Sequence, residues 1–321
     1  MIEQQDLKKW EEEYRQRLPT YECLMEEAEH TLRAGIDGAG IKIHNISKRI
    51  KELDSLKKKA LGKEYARPLN DVNDIVGLRV VCLFLSDLPK LEEVIQDCFA
   101  ITEKDNKILN KEYHSFGYLS CHYIVTIKDG FSGTRYDSIK GIKFEIQTRT
   151  VAMDAWAAAS HHLEYKTKQD IPNDLKKDFY ALSGLFYVAD THFELLHKRQ
   201  LEYRDNIPVP LSDSSVGDSL EINMDTLASF LNEKYLDRPE ASKPVISRII
   251  GYLSECGYNS IGQLSSALSS GEEAFAKLEE RVRERSSSNF RYSRDIALIE
   301  TLRIVDENFN NISQGTPGIY D

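Results

Sequence analysis

No apolar run in this 321-residue chain approaches the roughly 18 residues a membrane helix needs, which excludes a helical membrane protein. Met1 to Glu13 is polar and acidic, so no signal or transit peptide is read there. Cysteine is scarce. Cys23, Cys82, Cys98, Cys121 and Cys256 are scattered and never spaced as CxxC. That argues against disulfides and zinc, and buried free thiols in a reducing cytosol are expected. No internal repeat is visible. Positive charge is also short, 42 Lys and Arg against 52 Asp and Glu, for a net −10. Such a balance disfavours a protein coated in nucleic acid, although it leaves room for a local basic groove. What is present is 41% hydrophobic residues and 29% charged ones, with a mean hydropathy of −0.46. That composition supports a real core rather than disorder, and the length suggests two domains.

The periodicity predicts a helix over 1–18 (Leu7, Trp10, Tyr14 and Leu18 on one face), ended by Pro19. A second helix is predicted over 21–33, then a loop at Gly35, Gly38 and Gly40. Ile41, Ile43 and Ile46 read as strand-like, and a Lys-rich helix runs from Asp54 to Gly62. Val76–Leu85 is a buried strand broken only by Arg79. Ser86 or Asp87 caps a helix reaching Phe99. Strands follow at Cys121–Ile127 and Lys143–Thr148, separated by a turn at 129–133. A helix spans 151–166, and 173–204 is a long helix or a helix pair. The Pro- and Ser-containing stretch 205–219 reads as a linker. Beyond it, 222–310 reads as helical, with segments starting near Met224, Lys243, Ile261, Gly271 and Arg291 and a mobile tail at 313–321.

Four segments carry chemistry. In FEIQTRT, Glu145, Gln147 and Arg149 share one strand face and Phe144, Ile146 and Thr148 the other. An exposed sheet face is the ordinary reading of such a row. Asp74, at the start of the most hydrophobic strand, shifts that balance. With Glu145 on a neighbouring strand it makes two carboxylates for one Mg²⁺, which takes its other ligands from phosphate and water. Arg79 interrupts the strand and needs an anion, either a phosphate or one of these acids. Arg49 and Lys51 share a face of an extended segment. Ser55 opens a helix whose free amides favour phosphate, and Lys59 lies one turn on. Lys57 and Lys58 read as a solvated basic face. In FGYLSCHYIV, Gly117 frees the backbone, Tyr118 offers a flat face for a base, and His122 can donate to a phosphate or hydroxyl. On 151–166, His161, His162, Trp156 and Tyr165 read as helix packing in preference to metal ligands.

In this order, from Ile41 to Lys166 and less specifically to Arg204, the segments resemble the RelA/SpoT-type alarmone synthetases. The match rests on Arg49, Lys51, Ser55 and Lys59; Asp74, Gly77 and Arg79; Gly117, Tyr118, Ser120 and His122; and Glu145, Gln147, Arg149, Thr150, Met153 and Trp156. The resemblance implies an α+β fold, a nucleotidyltransferase-like mixed β-sheet flanked by helices; the all-helical C-terminal domain that follows is expected from the periodicity of 222–310. It implies transfer of the β,γ-pyrophosphate of ATP to the 3′-hydroxyl of GDP or GTP, giving AMP and (p)ppGpp. Arg49, Lys51, Ser55, Lys59 and Arg79 would hold ATP, and Asp74 and Glu145 would hold Mg²⁺. Glu145 would orient or deprotonate the attacking hydroxyl. Tyr118, His122, Gln147 and Arg149 would bind the acceptor.

The expected organisation is a synthetase domain over 1–204 with its core at 41–166, a linker at 205–219, and a helical domain over 220–321. The protein is expected in the cytoplasm. No His-Asp dipeptide occurs, so the hydrolase half of long bifunctional relatives is not expected. NKEYHSFGY keeps Lys111, with Lys107 just before it, but not the family's Pro-Lys pair. The acceptor therefore stays open among GDP, GTP, an adenine nucleotide and the 3′ end of tRNA. A catalytically dead nucleotide sensor is the reading from another class. Residues 220–321 match nothing further and are assigned partner binding, homo-oligomerisation or control of the synthetase domain.

Overall fold

The computed structural model describes residues 4–63, 65, 67–106, 120–163, 171–211, 217–285 and 290–313. The chain divides into two compact units, Met1–Lys198 and Arg199–Asp321.

The first unit is built on a five-stranded sheet. Its strands are β1 (Ile43–Ile50), β2 (Val76–Cys82), β3 (Phe99–Asn106), β4 (Cys121–Ile127) and β5 (Phe144–Thr150), in the order β1-β2-β5-β4-β3. β2 and β5 are parallel and the other neighbours antiparallel, so the sheet is mixed. Alternation divides its faces. Val76, Leu78 and Val80, Phe144 and Ile146, and Tyr123 and Val125 are buried in one core with α1 (Gln4–Gly38) and α4 (Asp87–Cys98). The opposite face keeps the polar residues of the same strands. α2 (Leu53–Gly62) and α3 (Pro68–Asp71) pack on α1, α5 (Val151–His162) packs on β5 and β2, and α6 (Asn173–Asp205), a single helix, packs on α5 through Trp156.

α1 overturns the expectation of two helices broken at Pro19 and followed by a glycine loop. It is continuous through Pro19, because Tyr14, Tyr21, Leu24, Ala28, Leu32 and Ile36 form one buried stripe across it. Each large side chain contributes about 1.5–3 kcal/mol, which together exceed the roughly 3 kcal/mol of an interior proline. Gly35 is a packing residue: a Cβ there would lie 2.7 Å from Cys98 Sγ and 2.8 Å from Val94 Cγ1 of α4. The helix ends at Gly40, with φ +65°, where the Gly40 N–H donates to Asp37 O and the Ile41 N–H to Ile36 O. Gly35→Val is expected to destabilise the first unit by about 1–3 kcal/mol through overpacking. Urea unfolding measures this, and an unchanged midpoint would refute the close contact.

Other elements differ in detail. β2 stops at Cys82 rather than Leu85, because the chain turns where the Asp87 carboxylate accepts the Phe84 N–H at 3.2 Å. The Ser86 side chain does not cap α4. β3 was not anticipated. As an edge strand it buries only Phe99 and shows no hydrophobic alternation. α5 begins with Thr150, whose Oγ accepts the Met153 N–H at 3.2 Å and donates to Asp190 at 2.7 Å. Its last helical residue is His162, and 164–170 lie outside the described residues.

The second unit contains α7 (Met224–Lys234), α8 (Lys243–Glu255), α9 (Ile261–Arg285), α10 (Arg294–Val305) and α11 (Glu307–Ser313) around its own apolar core. Gly271 does not start a helix. It lies inside α9, where a Cβ would come within 2.8 Å of Thr301 and Val305 side chains on α10. The helix expected near Arg291 starts at Arg294. Leu211, within 205–219, is fully buried in this core, and its N–H donates to Glu233 at 2.8 Å. The tail beyond Ser313 lies outside the described residues. All five cysteines are free. Cys82 and Cys121 are buried, and burial pushes the Cys82 thiol up to about 12. Cys23, against expectation, is exposed.

Candidate active site

Strand register assembles the polar face. The parallel β2–β5 pair sets Gly77 opposite Glu145 and Arg79 opposite Gln147. β4 sets His122 opposite Gln147, and β1 sets Ser47 and Arg49 opposite Arg79 and Gly77. Ser47, Arg49, Gly77, Arg79, Glu145 and Gln147 line a cavity of about 210 Å³.

One hydrogen-bonded chain crosses this face. Ser120 Oγ lies 2.6 Å from His122 Nε2, and His122 Nδ1 lies 2.6 Å from Glu145 Oε1. Gln147 Nε2 donates to Glu145 Oε2 at 2.7 Å, and Arg149 Nη2 donates to Gln147 Oε1 at 3.0 Å. Asp154 Oδ1 then receives both guanidiniums, Arg149 Nη1 at 3.4 Å and Arg79 Nη1 at 3.3 Å. Burial raises the Glu145 pKa, but the His122 ring and Gln147 amide outweigh it and hold the carboxyl below its usual value. Glu145 is therefore a buried, ionised carboxylate with both oxygens oriented.

Asp74 is clamped by two lysines, Lys51 Nζ at 2.9 Å and Lys59 Nζ at 2.8 Å. Burial pushes this carboxyl up, and the Lys59 and Lys51 contacts more than reverse the effect. Asp74 is close enough for its charge to act on Glu145. Two ionised carboxylates near enough to feel one another's charge are a donor set that fits a divalent cation. Among the described residues no group of three or more His, Cys, Asp or Glu could hold a metal, so remaining ligands would come from substrate and water.

Arg79 and Arg149 share the single carboxylate of Asp154, which leaves one positive charge in excess. The buried Nε of each has no hydrogen-bond partner among the described residues. Burial and the neighbouring Arg79 both lower the Arg149 pKa, with Asp154 opposing them. Two crowded guanidiniums with idle donors form a site for an anion such as phosphate.

Arg49 is exposed on β1, and Ser55 is exposed in the first turn of α2, a helix with no side-chain cap. Lys57 is not solvated as expected: it reaches Glu11 of α1 at 3.2 Å. Tyr118, Gly117, Lys107 and Lys111 lie outside the described residues, as does Tyr165. Trp156 packs against Phe179 and Phe186, whereas His161 and His162 are exposed. Sequence reasoning missed Asp154 as a site residue and Ser120 as the partner of His122. The available signal for Asp154 was an acid in the first turn of the helix that follows Arg149.

Residues 48–170 match the family described as a region found in RelA / SpoT proteins. The chain is 27% identical over 157 residues to GTP pyrophosphokinase YwaC of Bacillus subtilis (strain 168), covering 46% of this chain and 70% of that protein. It is 32% identical over 138 residues to GTP pyrophosphokinase YjbM of the same organism, covering 42% of this chain and 62% of that one, less than two thirds of its length. The crystal structure of small alarmone synthetase 1 from Bacillus subtilis superposes with a TM-score of 0.50 at 24% identity, over 60% of this chain and 99% of that one, a likeness of fold. Residues 48–170, which hold the carboxylate pair and the arginine pair together, are the part of this chain that matches the RelA/SpoT family.

Proposed function

We propose that the protein is an ATP:nucleotide 3′-pyrophosphotransferase that makes (p)ppGpp from ATP and GDP or GTP and releases AMP. The observation that carries this reading is the single polar sheet face on which an oriented, ionised Glu145 sits between a lysine-clamped Asp74 and an under-neutralised arginine pair. Two relatives named GTP pyrophosphokinase support it.

In this reading Glu145 takes the proton of the acceptor 3′-hydroxyl, whose oxygen forms the new bond to the β-phosphorus of ATP. The bond from that phosphorus to the oxygen of the α-phosphate breaks, and AMP leaves. Transfers of this kind depend on in-line positioning and charge neutralisation. Lys51, Lys59, Arg49 and Arg79 meet the triphosphate, with Ser55 at the α2 N-terminus beside them. Arg149, Gln147, His122 and Tyr118 are assigned to the acceptor, His122 also fixing Glu145 through the hydrogen bond that Ser120 completes. Asp74 and Glu145 would hold Mg²⁺, which when bound offsets phosphate charge. A use of ATP and guanine nucleotides goes with the cytoplasm as the proposed location; among the described residues no helix is long and apolar enough to cross a membrane. Leu182, Leu185, Val188 and Leu196 of α6 are exposed apolar surface that a second copy would cover, and residues 220–321 are assigned to regulation or oligomerisation.

Purified protein with labelled ATP and, separately, GDP, GTP, ADP and tRNA tests the proposal. Label in a guanine nucleotide is the expected result. Label in tRNA alone would replace the acceptor, and no transfer to any acceptor with Mg²⁺ would leave a nucleotide sensor. Lys59→Ala is expected to raise the KM for ATP about tenfold or more, the worth of one charge-assisted contact. Initial-rate kinetics check it, and an unchanged KM would confine Lys59 to holding Asp74.

A further inference from the structure

The first unit holds a second cavity of about 450 Å³, larger than the one beside Glu145, lined from α1, from α3 and the segment after it, and from the chain entering β5. Among the described residues, none of those proposed as catalytic or nucleotide-binding lines it. Among the described residues its walls carry two cations, Arg17 and Lys143, and no acid, while Val72, Ile75 and Ile142 give it an apolar side. Its size is that of a site for a small organic molecule.

Tyr21 points to an occupant. The residue is 2% exposed and lines the cavity, and its hydroxyl has no hydrogen-bond partner among the described residues. Arg17 stands near enough to donate toward the Tyr21 oxygen, but its well-formed bonds go to Asn70 Oδ1 at 2.9 Å, to the Leu69 carbonyl at 3.4 Å and to Glu13 at 2.5 Å. A guanidinium also offers the Tyr21 O–H no acceptor. Burial pushes the hydroxyl's pKa up, with Arg17 opposing it, so it stays a protonated donor. A phenylalanine would fill the same space without burying an unpaired hydroxyl, a costly state. The carboxylates paired with these cations are exposed, Glu13 with Arg17 and Glu103 with Lys143 at 3.2 Å. Such surface pairs are weak and open to exchange.

We propose that this cavity binds an organic anion with a flat apolar body, about the size of a nucleoside monophosphate. Tyr21 donates a hydrogen bond to it, Val72, Ile75 and Ile142 cover its body, and Arg17 and Lys143 meet its charge. Ile75 is also the wall that adjoins Asp74 and accepts the Lys51 N–H at 2.7 Å, so the occupant lies behind the segment carrying that carboxylate.

Calorimetric titration of the full chain with guanosine 5′-monophosphate, indole-3-acetate and inorganic phosphate tests it, because binding is read without turnover. At least one aromatic anion is expected to bind and phosphate alone is not; which of the two binds separates a nucleotide from a carboxylate ligand. Tyr21→Phe should weaken that binding about tenfold, while its unliganded thermal midpoint equals or exceeds the parent's. Ile142→Trp should fill the space and block binding. Three outcomes would overturn the proposal: no aromatic anion binds, binding is unchanged in Tyr21→Phe, or Tyr21→Phe melts lower without ligand, since the hydroxyl would then have a partner within the protein.

Discussion

Glu145→Gln is expected to lower kcat for pyrophosphate transfer by about 10³-fold, the usual worth of a positioned general base, while ATP still binds. The substitution keeps shape and removes the negative charge. Glu145 accepts from His122 on one oxygen and from Gln147 on the other. A glutamine must turn its NH₂ toward one of these donors, and flipping Gln147 to relieve the clash would turn that amide's NH₂ toward Arg149. The exit left is a switch of the His122 tautomer, with Nδ1 accepting from the new NH₂ and Nε2–H donating to Ser120 Oγ. The loss of stability should therefore stay near about 1 kcal/mol while the rate falls. Single-turnover kinetics with labelled ATP, beside a thermal melt, separate the two effects. Near-normal turnover in a folded Glu145→Gln protein would remove Glu145 from the chemistry.

Arg238→Ala should destabilise the second unit by about 3 kcal/mol, because it strands a buried carboxylate. Arg238 Nη1 and Nη2 donate to the two oxygens of Glu279 at 2.5 Å and 2.9 Å, and Nη1 also reaches the Tyr292 carbonyl at 3.1 Å. Its guanidinium stacks between the rings of Tyr235 and Phe275, 5.6 Å and 5.4 Å from their centroids. Tyr292 N–H donates to the same Glu279 oxygen at 3.0 Å. Arg238 holds the Glu279 carboxyl below its ordinary 4.5. A depressed folded pKa gives stability that is present above the unfolded value and lost as pH falls through the folded one. The parent's second unit should therefore weaken on acidification below about 4.5, and Arg238→Ala should lack much of that dependence. Hydrogen exchange at the α9 and α10 amides, at neutral and acid pH, reads this unit directly. Equal protection in both proteins would show the pair to be dispensable.

Much of the site was legible in the sequence because its residues sit on strands, and strands report faces by parity. Glu145, Gln147 and Arg149 share a face by spacing alone, and the structure keeps them there. Parity cannot say which strand lies beside which. The parallel register that sets Arg79 opposite Gln147 and Gly77 opposite Glu145 comes from a crossover, the members of each pair lying 68 residues apart in numbering. Asp154 as the shared partner of both arginines was invisible for the same reason. Glycine misled twice. At Gly35 and Gly271 the sequence reads a break, whereas each lies inside a helix where a neighbouring helix leaves no room for a Cβ. Pro19 misled in the opposite sense, because a local penalty was outweighed by a stripe of buried side chains running past it.

By itself, then, the sequence determined the element types of most segments (β3 and the unbroken α1 excepted), the polar strand face and the order of motifs, since these follow from local spacing and side-chain chemistry. The tertiary structure alone decided that Lys51 and Lys59 close on Asp74, that Ser120 and His122 fix Glu145, and that Tyr21 is buried against a cavity with its hydroxyl unpaired. Those facts depend on distances between segments far apart along the chain, which only the packing of the sheet against its helices sets.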